Sequence, residues 1–166
     1  MLNPGHWENQ YRLSLELYEM SASVSCIFGD VDTMSSCLTD VVANVKSFED
    51  SLTSSILLAK LLAASAKFDE AVNNILTVLS NLGEDFPKDI DMTLVLSELS
   101  VLQTTLANIT AEQVKLLPRM TKENTLHAMK FMSMLCSFSI MAKPLLAPIL
   151  SCRMVRLTIE QGAFCS

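Results

Sequence analysis

The chain has 166 residues, a formal net charge of −6 and a sequence pI near 4.8, and half of its residues are hydrophobic. It has only four glycines and five prolines, and aromatic residues make up 6%, which favours helices over a β-sandwich. The acidic balance and the scattered lysines and arginines disfavour nonspecific nucleic-acid binding, which needs clustered positive charge.

The first half of the chain predicts four helices with short turns between them, because apolar residues recur at intervals of three or four. Gly29 and Gly83 stand where a helix C-terminus favours a left-handed residue. Asp50 or Ser51 is expected to cap the third helix. The expected helices span residues 7–28, 31–46, 51–65 and 66–82.

The first of these helices is expected to have one apolar face. Apolar residues that follow the helical period lie on the same side of a helix. The third helix is apolar on most sides, so we expect it to lie between neighbours. The apolar face of the first helix consists of Leu13, Leu17, Met20, Val24 and Ile27.

Residues 29–42 can be superimposed on residues 66–79 at an offset of 37. The unit is helix–turn–helix, and a period in the mid-thirties is typical of tetratricopeptide-like (TPR-like) repeats. Small residues are expected where two helices cross, and large apolar residues in the groove between them. We therefore predict an all-α fold of antiparallel helix hairpins stacked as a short TPR-like superhelix. The overlay pairs Gly29 with Ala66, Leu38 with Ile75 and Ala22 with Ala59.

The second half, residues 90–162, is predicted to be a less regular helical continuation. Thr121 is the expected N-cap of a long helix, and Pro144 is expected in the first turn of the final helix, which Gly162 ends. Pro148 is expected to kink that helix or delay its start. The predicted helices span residues 90–108, 111–117, 122–142 and 144–161.

Residues 131–152 form the most apolar stretch of the chain. Lys143 divides this stretch into uncharged runs of 12 and 9 residues, both shorter than the ~20 residues needed to cross a bilayer. We therefore expect a buried helical hairpin there. The odd number of cysteines and the lack of a CxxC pair favour reduced thiols and a cytoplasmic location. The five cysteines are Cys26, Cys37, Cys136, Cys152 and Cys165.

The sequence contains no recognisable catalytic constellation. The two histidines, His6 and His127, are far apart, and His6 is expected to lie in a frayed terminus. Neither a GxxxxGK[ST] loop nor a GxGxxG motif is present. We expect no catalytic residue, no cofactor and no metal ion. The acid pairs Glu84/Asp85 and Asp89/Asp91 are interpreted as solvated loop acids, and the methionines at positions 129, 132, 134, 141 and 154 as core filling.

Landmarks spread along the chain resemble those of one family. The opening residues Trp7 and Tyr11 precede "LSLELYE" at 13–19, and the later landmarks are Gly29-Asp30, "AKFDEAV" at 66–72, "LSNLGEDFP" at 79–87, "LPRMT" at 117–121, Ala128-Met129 and "RMVRLTIEQG" at 153–162. In their order and spacing they resemble the TPR-like helical-repeat region that follows the signal-transduction ATPase module of large multi-domain signalling kinases. These kinases are of the serine/threonine-kinase and hybrid histidine-kinase type.

The resemblance implies a non-catalytic module for protein–protein or interdomain coupling in the cytoplasm. Its partners would be other domains of the same signalling protein or a peptide, with no nucleic acid and no membrane. The family's kinase, ATPase and sensor motifs are absent from these residues, so none of its catalytic residues can be assigned here. We expect the chain to be a fragment of a larger protein that self-associates when isolated, because a cut array exposes apolar faces.

Two alternative functions remain open from the sequence. One is a stand-alone TPR-like adaptor that binds peptides. The other is a small-molecule-binding or enzymatic helical domain with a pocket between the methionine-rich helices. For a partner surface we expect the inner faces of the first helices of each pair, although these residues can equally pack against each other. That surface consists of Tyr18, Ala22, Ser25, Leu58 and Leu62.

Overall fold

The computed structural model describes residues 5–164, and this part of the chain is all-α. The prediction of an all-α fold with helix hairpins is confirmed. The helices in this range are α1 (His6–Asn9), α2 (Tyr11–Phe28), α3 (Val31–Asn44), α4 (Ser51–Ala64), α5 (Phe68–Asn81), α6 (Met92–Ala107), α7 (Ala111–Lys115), α8 (Glu123–Ala142) and α9 (Leu146–Gln161).

The chain folds into two compact units, of which the first runs to Asn74 and the second begins at Ile75. In the first unit α1 packs on α2, α2 and α3 form a hairpin, and α4 contacts both helices of that hairpin. Their shared core contains Ala22, Met34, Leu38 and Leu57. A following helix that leans on both members of a hairpin is the packing expected of stacked repeats.

The turns that end α2 and α4 have the same hydrogen bonds, 37 residues apart. Asp30 N–H donates to the carbonyl of Ser25 over 2.9 Å, and Lys67 N–H donates to that of Leu62 over 2.8 Å. Both turns place a residue in the left-handed region, Gly29 at φ 72° and Ala66 at φ 58°. This is the Schellman motif, which satisfies the last carbonyls of a helix and reverses the chain. The 37-residue offset of the sequences is therefore also an offset of backbone geometry.

The apolar face predicted on α2 is present, but it is exposed. Its five residues are between 41% and 82% exposed. Helix α2 instead buries the opposite side. That side carries small residues, which let the backbones of α3 and α4 approach closely. The larger side chains of the neighbours then fill the space around Ala22, which has no exposed surface. The buried residues of α2 are Ser14, Leu15, Ala22 and Ser25.

The N-terminal segment is ordered by packing rather than frayed. Gln10, at φ −137° and ψ 45°, separates α1 from α2, where one continuous helix was expected. His6 is half-buried, its ring is stacked on that of Tyr18 at a centroid distance of 5.8 Å, and its Nδ1 lies 2.9 Å from the hydroxyl of Ser14. Trp7 packs against Tyr18 at 5.2 Å. The prediction that His6 lies in a frayed terminus is therefore wrong.

In the second unit α8 and α9 form a hairpin, and α6 packs on α9. The hairpin predicted over residues 131–152 is confirmed, and Phe131, Leu135 and Leu150 are completely buried in it. No helix in residues 5–164 is both long enough and apolar enough to cross a membrane.

Two details of the predicted helix starts differ in the second unit. Helix α8 begins after Lys122 with no side-chain cap, so Thr121 is not its N-cap. Helix α9 begins only at Leu146, so Pro144 lies in the preceding turn. Pro148 then falls in the first turn, where a residue needs no amide hydrogen, and the expected delay in the helix start is what occurs.

Gly162 ends α9 where the chain crosses another backbone segment. Ala163 N–H donates to the carbonyl of Pro118 over 2.7 Å, and Met120 N–H donates to that of Ala163 over 3.0 Å. A Cβ at Gly162, which has φ 108°, would collide with the carbonyl oxygen of Pro118. Only glycine fits this close backbone approach.

Candidate interaction surface

The residues expected to contact a partner mostly pack within the first unit. Ala22 and Ser25 are buried, while Tyr18, Leu58 and Leu62 are half-buried. Tyr18 stacks with the rings of α1, and Leu58 packs against the core cluster around Ala22. Their use by a partner stays a prediction, but little of the surface of Ala22 and Ser25 is accessible.

The outward face of α2 is the most extended apolar surface of the first unit. We call its residues Leu13, Leu17, Met20, Val24 and Ile27 the α2 seam. They follow one another at intervals of four, three, four and three residues, which is the heptad spacing of a coiled-coil seam. The opposite side of α2 contacts α3 and α4, so this helix has one face in the core and a second, apolar face in solvent.

The charges beside the α2 seam are paired within the unit. Arg12 lies on the same helix one turn before Glu16, with Nε 3.5 Å from Oε1. The same guanidinium approaches Asp50, with Nη1 3.2 Å from Oδ1. The charges beside the seam are therefore one cation shared between two carboxylates, and not a block of one sign.

A polar cluster fastens α2 to the start of α4. The Tyr11 hydroxyl donates to Oδ2 of Asp50 over 2.8 Å and accepts from the Lys46 amide over 3.0 Å. The Lys46 ammonium lies 4.4 Å from the centre of the Tyr11 ring, a cation–π contact. Desolvation is the main reason that the pKa of Tyr11 is raised, so its hydroxyl stays a donor. Asp50 precedes α4 as expected, but it binds Tyr11 and Arg12 and makes no side-chain cap.

Glu19 is the one carboxylate on α2 that is held against α4. Desolvation raises its pKa, while a hydrogen bond with the backbone of Ser54 acts in the opposite direction. Its Oε1 is buried with no hydrogen-bond partner. Burial is the larger of the two effects, so the folded first unit favours the protonated form of Glu19 more than water does.

Glu84 is a structural ion-pair residue in the second unit. Arg153 donates to it twice, from Nε to Oε2 over 2.6 Å and from Nη2 to Oε1 over 2.9 Å. These hydrogen bonds raise the pKa of Arg153. Arg156 and Glu98 form a second close pair at 2.6 Å. The interpretation of Glu84 as a solvated loop acid is therefore wrong, because a bidentate pair fixes the loop to α9.

The second acid pair, Asp89 and Asp91, lines a shallow cleft, and Asp91 also caps a helix. Asp91 accepts from Leu94 N–H over 2.7 Å and caps α6, and it is exposed to solvent as expected. A cleft of about 520 Å³ adjoins it, and none of the methionines expected to line a pocket contributes to this cleft. Its lining residues are Lys88, Asp89, Ile90, Asp91, Lys143, Pro144, Leu145 and Leu146.

The sulfur-containing residues lie mainly in and around the cores. Met129 and Met132 are buried, Met134 and Met154 are half-buried, and Met141 is 67% exposed. Burial raises the pKa of the Cys136 and Cys152 thiols, which lowers their thiolate fraction. Cys26 and Cys37 are half-buried free thiols, and Cys165 lies outside the described residues.

No group of three or more His, Cys, Asp or Glu side chains converges as metal ligands within the described residues. His127 lies on α8 with Nε2 4.0 Å from the carboxylate of Glu123, an exposed partner one turn earlier. The close side-chain contacts among the described residues are ion pairs, caps and stacked rings. They hold helices together.

Sequence reasoning missed two features, one on α2 and one at the start of α7. The intervals of the α2 seam were visible as one apolar face, but the periodicity did not show that this face lies in solvent. The "TAEQ" segment at Thr110 is a capping box, in which Thr110 and Gln113 bond to each other's backbone, and its pattern was also readable. Comparison of the chain with family models, curated proteins and solved structures found no match.

Proposed function

We propose that this chain is a non-catalytic helical-repeat module that couples protein domains, as in the region after the ATPase module of signalling kinases. One observation carries the proposal. The turns after α2 and α4 repeat the same hydrogen bonds at an offset of 37 residues, and α4 leans on both helices of the preceding hairpin. Such arrays extend by adding hairpins and bind proteins over their exposed helix faces.

The exposed apolar surface favours protein contact over small-molecule chemistry. The α2 seam places five large apolar side chains in solvent, whereas the cleft beside Asp91 uses that carboxylate to cap a helix. Contiguous apolar patches of this kind mark protein or membrane contact sites. We assign the module to the cytoplasm and to a partner domain of the same signalling protein.

The first test is the sequence of the transcript on either side of this reading frame. We expect it to continue upstream into a segment that encodes a GxxxxGK[ST] phosphate-binding loop. A transcript that encodes no ATPase module would contradict the interdomain form of the proposal. The stand-alone adaptor would then be the better function.

A physical test uses the neighbouring domain that this transcript encodes. Amide hydrogen exchange of the chain is measured alone and with that domain added in trans. We expect slower exchange in at least one exposed helix, with α7 as an internal control that changes little. Equal exchange in all helices would contradict domain coupling.

A further inference from the structure

The α2 seam has the geometry of one half of a two-helix interface. Its intervals repeat every seven residues, and a sustained period of 3.5 keeps one stripe of a helix directed at a partner helix. The seam occupies four turns of α2, from Leu13 to Ile27. Met20 lies at its centre, with two seam residues on each side.

The exposed area matches one side of a small dimer interface. Phe28 adjoins the seam and, like Ile27, is 82% exposed. Taking about 150–200 Å² for a fully exposed large apolar residue, the seam and Phe28 expose roughly 550–750 Å². Monomers rarely expose more than about 600 Å² in one patch, and a standard interface takes about 800 Å² from each partner.

The charges on this face do not oppose self-pairing. The chain carries a net charge of −6, which disfavours contact between two acidic surfaces. Near the seam, however, Glu16 is paired with Arg12. In a parallel pair of helices Glu16 faces Ser21 of the other copy, which is uncharged. The seam is therefore a nearly neutral strip on an acidic protein.

We propose that the α2 seam binds the α2 seam of a second copy of this chain, with the two-fold axis beside Met20. This deepens the proposed function by naming how the coupling module pairs. In a parallel pair each seam residue faces its own equivalent, so Met20 of one copy contacts Met20 of the other. Small or uncharged flanking residues such as Ser21 and Ser23 let the two helices approach.

The test compares two substitutions of the same residue type in the full 166-residue chain. Met20 and Met141 are 64% and 67% exposed on different helices, so Met20→Glu and Met141→Glu remove similar apolar surface. By sedimentation at about 50 µM, we expect a dimer for the unchanged chain. Met20→Glu is expected to weaken dimerisation at least about tenfold because it places two like charges at the axis. Met141→Glu is expected to leave the dimer unchanged.

A cross-linking experiment gives a readout that does not depend on the glutamate variants folding. Met20→Cys is expected to form a disulfide-linked dimer faster than Met141→Cys or the unchanged chain under mild oxidation. A monomeric unchanged chain at 50 µM, equal weakening by both glutamates, or equal cross-linking at both positions would each overturn the proposal. None of these results bears on the transcript or the exchange experiment, so the failure of pairing and the failure of domain coupling are distinguishable.

Discussion

The equivalent turns after α2 and α4 have glycine in one and alanine in the other. Opposite substitutions in the two turns should therefore have opposite effects on stability. Gly29 and Ala66 both have positive φ, and Ala66 is the one non-glycine residue with this geometry in residues 5–164. We expect Gly29→Ala to destabilise the first unit and Ala66→Gly to stabilise it. The two positions differ in residue type while sharing the same turn.

The magnitude follows from backbone strain and chain entropy. An L-residue in the left-handed region costs about 1–2 kcal/mol, and glycine loses about 0.4–1 kcal/mol more than alanine in ordering the chain. A Cβ at Gly29 meets no atom within 4 Å, so no steric contact is added. We expect Gly29→Ala to cost about 1 kcal/mol and Ala66→Gly to stabilise by about 0.5–1 kcal/mol, the difference between these terms.

The assay is urea unfolding followed by the fluorescence of Trp7, the one tryptophan of the chain, which reports on the first unit. The midpoint is expected to fall for Gly29→Ala and to rise for Ala66→Gly with an unchanged slope. Ala64→Gly, two residues earlier at the last residue of α4, is the control and should lower stability by up to about 0.5 kcal/mol, since Ala64 has helical geometry. If Ala66→Gly also lowers the midpoint, the left-handed geometry of this turn is refuted.

Three further predictions concern single side chains. Glu84→Ala removes both hydrogen bonds to Arg153 and should destabilise the second unit by about 1–2 kcal/mol in urea unfolding, whereas the exposed neighbour Asp85→Ala should change it by less than about 0.5 kcal/mol; equal effects would contradict the ion-pair role. Gly162→Ala should cost at least about 2 kcal/mol by circular dichroism melting because its Cβ meets the backbone of Pro118, and an unchanged melting temperature would rule out that close approach. The raised pKa of Glu19 means that its contribution to stability is present below its unfolded pKa of about 4.3 and is lost as the pH rises through its folded pKa. Glu19→Gln should therefore be more stable than the unchanged chain at pH 7, and the difference in their free energies of unfolding should shrink toward pH 4. Lower stability of Glu19→Gln at pH 7 would show that the hydrogen bond with Ser54 outweighs burial.

The helices and their ends were predictable because their signals are local. Glycine after an apolar run, as at Gly29, Gly83 and Gly162, marks a helix end from the chain's own conformational preferences. The hairpin of residues 131–152 was also predictable, since Lys143 interrupts two apolar runs that are each too short to cross a bilayer. These features do not depend on which helices meet.

The buried face of α2 was not predictable from periodicity. The helix carries a large apolar stripe on one side and a small-residue side on the other, and the core selects the small side because α3 and α4 contact it together. Periodicity reports that a stripe exists, not which neighbour covers it. The roles of Glu84 and Asp91 were also hidden, since the partner of Glu84 is 69 residues away at Arg153 and the cap depends on where α6 begins.

Helix α2 contacts α3 and α4 through its small-residue side and leaves the α2 seam outside. Methyl nuclear Overhauser spectra of the isotope-labelled chain test this most directly. We expect cross-peaks from the methyl group of Ala22 to those of Leu38 and Leu57, and none from Leu17 to either. Cross-peaks from Leu17 to the core residues, with none from Ala22, would contradict it.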